Sequence, residues 1–256
     1  MNGKKEIRET LKRLRTDAAL RGTRNQQIVG RLLNHSDSVT TENFTDLSDE
    51  DIRLLFEAYD ELYFEGTLSR ATGKVPLEFR VSSRMTRAGG KTSAWRKHRD
   101  APIERLEIVV SSTLLLQTFC EESEREVTVT GILCRHRTDA LLRVMEHELI
   151  HLAELLGWND SSCRCNRFQQ FAWQIFGHTD HRHALMTPRE HASSLGVFAG
   201  ATVEFEISGR RLRGIVNRVT RRATVLVLSD GGQLFNDGHR YEKYYVPVGS
   251  LSVVDA

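Results

Sequence analysis

The stretch RVMEHELIHLAELLGW, residues 143–158, decides how the rest of the chain is read. It has no proline, and its one glycine, Gly157, falls where a helix would end. At about 100° per residue, Met145, Leu149, Leu152 and Leu156 form one stripe, which Leu141, Val144 and Leu155 widen. His147 and His151 share the edge of that stripe, because positions i and i+4 lie on one helix face. Glu148 projects inside it, between Leu152 and Leu155, where a carboxylate is costly unless a cation compensates it. The pattern H-E-x-x-H accounts for the misplaced acid. Two imidazoles hold one zinc ion, and the glutamate beside them is the general base for a water. The spacing predicts a helix over 139–158 with metal ligands His147 and His151 and catalytic Glu148.

Composition sets the bounds. A chain of 256 residues can bury a full core and hold one large domain or two. The net charge of +2 gives no global field for nucleic acid, so any basic surface is local. No run reaches the ~20 apolar residues of a membrane span, and MNGKKEIRETLKRLR lacks an apolar signal-peptide core. The cysteines, Cys120, Cys134, Cys163 and Cys165, form no C-x-x-C pair and no dense disulfide framework. A cytoplasmic location without membrane contact is the expectation.

Three parts follow one another. Residues 1–45 read as a basic helical extension and polar linker, with nine Lys/Arg against three Asp/Glu up to residue 34. Residues 46–195 carry the metal helix. Ser48 and Asp51 make a helix start signal, and Ile52, Leu55, Phe56, Tyr59, Leu62 and Tyr63 supply that helix's apolar face. VPLEFRVS (75–82) alternates like a strand, RAGGKTSAWRKH (87–98) carries turn glycines, and LEIVVSS (106–112) is a second β-rich run. SSTLLLQTF (111–119) reads as a short helix, and residues 121–138 as a flexible polar stretch. After the metal helix, Asp160, Ser161 and Ser162 are capping candidates for a helix that buries Phe168, Phe171, Ala172, Ile175 and Phe176 and stops at Gly177. The fold class expected is α+β. Residues 197–256 alternate between short strands and tight turns (SGR, SDGG, NDGHR), which predicts a small SH3-like β-barrel.

In this order the central segments resemble the SprT-like zinc metalloprotease domain, the group that includes Spartan-type proteases acting on DNA–protein crosslinks. LFEAYDELYFEGTLS is similar to that family's leading helix, SSRMTRAGGKT to its strand with a glycine turn, and LEIVVSSTLLL to the segment before the metal helix. HELIH matches the metal helix, and RFQQFAWQIFGHT resembles the helix that follows. The similarity covers roughly residues 46–188. It implies a zincin-like fold, Zn2+ as cofactor, protein substrates and DNA as a candidate partner. Similar appended β-modules accompany some bacterial SprT-like proteins. The zinc ribbon often found after the domain has no counterpart, since no cysteine follows Cys165.

One position departs from the family. Aligned on Phe168, the usual third histidine falls on Arg164, which cannot bind zinc. Cys163 and Cys165 flank it, and a thiolate near a helix N-terminus has a lowered pKa and ligates zinc well. Cys163, twelve residues after His151, is the favoured third ligand and Cys165 the next. His178, His181 and His183 compete, but His178 would lie about 15 Å along the following helix from its start.

The functional expectation is a zinc-dependent endopeptidase. Arg84, Arg87, Lys91, Arg96, Lys97 and Arg99 surround Trp95 and are candidates for nucleic-acid binding through phosphates and base stacking. A second basic cluster, Arg210, Arg211, Arg213, Arg218, Arg221 and Arg222, lies near Tyr241, Tyr244 and Tyr245. The alternative is a non-proteolytic nucleic-acid-binding adaptor whose zinc site is structural or vestigial.

Overall fold

The computed structural model describes residues 3–98, 101–119 and 125–254, so Arg99, Cys120 and residues 121–124 of the polar stretch lie outside the described residues. The chain divides into two compact units, Met1–Leu185 and Met186–Ala256, each mixed in its elements or β-rich as follows.

The first unit is mixed α+β. It begins with helices α1 (Gly3–Arg13), α2 (Ala18–His35), α3 (Asp49–Phe64) and α4 (Thr67–Thr72). Strands β1 (Leu77–Ser82), β2 (Gly90–Trp95) and β3 (Arg105–Ser111) and helix α5 (Ser112–Thr118) follow. The hairpin β4 (Val127–Val129) and β5 (Ile132–Cys134) precedes α6 (Arg137–Trp158) and α7 (Asn166–Phe176). The sheet order is β1-β3-β2, with β1 parallel and β2 antiparallel to the central β3. β3 is buried from Leu106 to Ser111, as a strand covered on both faces must be.

The Ser48–Asp51 signal is a complete capping box at the start of α3. The N-terminal segment, read from sequence as an extension, packs into this unit's core instead. Ile7, Leu11 and Ile28 are fully buried, and Arg8 Nε donates to Gly157 O at 2.7 Å. Lys4, Lys5, Lys12 and Arg13 stay exposed, while Arg8 reaches inward and the apolar residues carry the docking.

Helix α6 spans two residues more at its start than expected and ends at Asn159, left-handed at φ 62°, rather than at Gly157. Of its 22 residues 17 are buried, so the sequence stripe understates its burial. A helix covered on nearly every side is a core element and not an amphipathic surface helix.

Two strand assignments differ from the sequence reading. The glycine-turn segment is the edge strand β2, and the segment read as flexible contains the β4–β5 hairpin, turned by Thr130 and Gly131 at positive φ. Helix α7 starts at Asn166 after Cys165, six residues beyond the Asp160–Ser162 cluster's first member, with no side-chain cap.

The second unit has helix α8 (Pro188–Ser194), strands β6 (Thr202–Ile207), β7 (Arg210–Val219), β8 (Ala223–Leu234), β9 (Arg240–Val246) and β10 (Ser252–Val253), and a 3-10 turn at Val248–Ser250. The strands pair in the order β10-β6-β7-β8-β9, all antiparallel. Ser208 and Gly209, both at positive φ, close the β6–β7 hairpin as a two-residue turn requires. SDGG is not a turn. It lies within β8, where the register shifts between Leu228 and Gln233, and a Cβ at Gly232 would stand 2.4 Å from the Tyr241 backbone. No described helix is long and apolar enough to cross a membrane.

Candidate metal centre

Helix α6 places His147 and His151 one turn apart with their Nε2 atoms 3.1 Å from each other. Cys163, in the turn before α7, completes a trio whose ligand atoms all lie within 4.8 Å of one another. Phe168 of α7 packs against both imidazoles, with ring centroids 4.8 Å from His147 and 4.5 Å from His151. The rings are thus wedged from one side and converge on one point.

Burial, aided at His147 by the neighbouring His151, holds the His147 imidazole down at about 3. Burial alone holds His151 at about 4. Both are neutral at physiological pH, the form in which imidazole ligates a metal. The Cys163 thiol goes the other way from the sequence expectation. Burial raises it, because Cys163 lies three residues before α7 and does not sit at its N-terminus. Cys165 occupies the N-cap position and is exposed, outside the trio.

Two imidazole nitrogens and one sulfur suit a tetrahedral zinc ion with one position left open. The donor set and its convergence therefore fit the group that the motif implies.

Glu148 lies beside the trio without joining it. Its side chain faces β2, where the Thr92 hydroxyl is 2.7 Å from Oε2 and 3.0 Å from the Glu148 carbonyl. Burial pushes its carboxyl up to about 7, against hydrogen bonds from Thr92 that favour the charged form. The trio and Glu148 open into a cleft of about 640 Å³ lined by Gly90, Thr92, Ala94 and Leu155 among others.

The predicted nucleic-acid residues separate into groups. Arg87, Lys91 and Arg96 line the cleft, joined there by Arg182, which sequence reading did not single out. Trp95 is exposed on the edge strand, but the Arg105 guanidinium already stacks 3.9 Å from its ring centroid. Lys97 is 3.8 Å from Glu104, and Arg84 is exposed away from the cleft lining. In the second unit Arg211 pairs with Glu204 at 3.1 Å, and β7 sets Arg213 opposite Glu204, so acids answer part of that basic cluster.

The competing histidines also part company. His181 and His183 line the cleft, and His183 Nε2 accepts from the Gly89 N–H at 3.1 Å. His178 is buried and donates from Nε2 to Glu146 at 2.8 Å, with Arg143 at 2.8 Å and the Tyr59 hydroxyl at 3.0 Å on the same carboxylate. It belongs to a buried ion cluster and not to the metal trio. The sequence hid this cluster because its members come from α3, α6 and the turn after α7, which brings His178 back.

No family model matches the chain, and no curated protein and no solved structure matches it.

Proposed function

We propose that this chain is a zinc-dependent endopeptidase of the SprT-like type, with a zincin-like first unit and an SH3-like second unit. The single observation that carries the reading is Glu148: a buried carboxylate that faces the cleft next to three convergent donors and is not itself one of them. A structural role at that position would favour leucine, whereas a general base explains an acid there.

A zinc ion held by His147, His151 and Cys163 would polarise a peptide carbonyl and acidify a water. Thr92 engages Oε2 of Glu148, so Oε1 is the oxygen left to take the water's proton and pass it to the leaving amine. A carboxyl raised to about 7 can both accept and return a proton near neutral pH. A thiolate ligand donates more charge than an imidazole, which implies a weaker Lewis acid and low basal activity. The cationic rim of Arg87, Lys91, Arg96 and Arg182 supports DNA, or a protein bound to it, as the trigger.

The test is Glu148→Gln. The variant keeps one zinc per chain, while cleavage of an unfolded protein substrate falls by at least ~10²-fold, with DNA present or absent. If the wild type and the variant are equally inert but bind DNA in a salt-dependent manner, the adaptor reading replaces this one.

A further inference from the structure

Glu154 is fully buried on α6, one turn past His151 and outside the cleft. Its Oε1 accepts from Arg167 Nε at 2.5 Å, and its Oε2 accepts from the Ser161 hydroxyl at 2.6 Å. The Ser161 oxygen also lies 2.7 Å from Nδ1 of His151. These three contacts fix the direction of every proton in the chain.

A serine hydroxyl has one proton, and a carboxylate paired with arginine only accepts. The Ser161 proton therefore points to Glu154, and its lone pairs face His151. Nδ1 of His151 must then carry the ring hydrogen, which leaves the lone pair on Nε2, the atom that faces His147 Nε2 at 3.1 Å. We infer that Arg167, Glu154 and Ser161 are positioning residues that lock His151 in the tautomer whose Nε2 lone pair points at the metal. None of them is a metal ligand, and Glu154 and Arg167 lie outside the cleft that Ser161 lines. The inference rests on the metal reading of the trio.

The direction of the chain gives it a test that packing alone does not meet. In Glu154→Gln the amide oxygen must face the Arg167 donor, so the amide NH2 faces Ser161. Ser161 then accepts, its proton swings toward Nδ1 of His151, and the ring hydrogen is displaced to Nε2, in the metal's path. Replacing Arg167 with methionine frees the amide to turn over and present its oxygen to Ser161 again.

Nitrogen-15 NMR of histidine-labelled, metal-free protein at pH 7 reads the tautomer, and competition against a chromophoric chelator reads zinc affinity. The wild type shows hydrogen on Nδ1 of His151, and Glu154→Gln shows it on Nε2. Zinc affinity falls roughly 10- to 100-fold in Glu154→Gln and recovers when Arg167→Met is added. Hydrogen on Nε2 of His151 in the wild type overturns the inference, and that measurement needs no variant to fold. So does unchanged zinc affinity in Glu154→Gln, or a double variant that binds no better than the single one. A wild type that binds no zinc overturns the metal reading instead, while the tautomer measurement still decides the proton chain.

Discussion

A Cβ at Gly90 would stand 2.6 Å from Cγ of Glu148 and 2.7 Å from its Oε1. The edge strand can run against the general-base candidate only because that position carries no side chain. Glycine here is a matter of space and not of backbone conformation, since Gly90 is absent from the positive-φ residues.

Gly90→Ala follows directly. The Glu148 side chain can rotate away, so the fold and one zinc per chain are kept. The carboxylate loses its place against Thr92, and a displacement of about 1 Å costs on the order of 10²-fold in rate. Zinc content, thermal midpoint and cleavage rate together check this; full activity in the variant would remove Glu148 from the chemistry.

Zinc binding should expel the proton of Cys163. His147 at about 3 and His151 at about 4 have none to lose at pH 7, whereas the buried Cys163 thiol does. Calorimetry in buffers of different ionisation enthalpy should give about one proton more per zinc at pH 7 for the wild type than for Cys163→Ala, the part released by Glu148 at about 7 being common to both. Equal release by the two proteins would take Cys163 out of the ligand set.

Metal-free protein should lose stability as pH falls below about 6.5. Burial lowers His147, His151 and His178 in the folded state, so the unfolded chain takes up protons that the folded one excludes. The contribution is fully present above the unfolded value of about 6.5 and is lost on acidification toward the folded values. Each histidine adds up to about 1.4 kcal/mol per pH unit in that window. Urea midpoints with a chelator between pH 7.5 and 5 measure the slope, and a flat profile would contradict it.

The buried cluster around Glu146 should govern stability and not metal binding. Glu146→Ala leaves Arg143 buried without its carboxylate, a loss of about 3–5 kcal/mol. Chemical denaturation reads that loss, and elemental analysis of the still-folded variant should find zinc undiminished. Zinc lost in step with the cluster would couple the two sites.

How much of this was legible depends on whether a residue's partners are near it in sequence. The helix carrying His147 and His151, the Ser48–Asp51 box and the nearness of Cys163 all follow from spacings within some twenty residues. Strand β2 was hidden because GKTSAW lacks large alternating apolar residues, and the reason is steric: Gly90 and Ala94 line the cleft facing α6. Nothing near Glu146 and Glu154 in the sequence marks them as buried, since Tyr59, His178 and Arg167 arrive from elsewhere in the chain. The β4–β5 hairpin did leave a trace in VTVTGILC, alternating about a Thr-Gly pair.

The bond from Arg8 to the Gly157 carbonyl joins residues 149 apart, and Ile7 and Leu11 dock beside it. At a synthesis rate of about 5–20 residues per second, the first helix waits roughly 7 to 30 s for its partner to be made. During that interval α4 covers part of it, but the side that docks on α6 has no native partner and is open to association with other chains. A truncated transcript ending before residue 137 would yield a product whose leading helix never finds its seat.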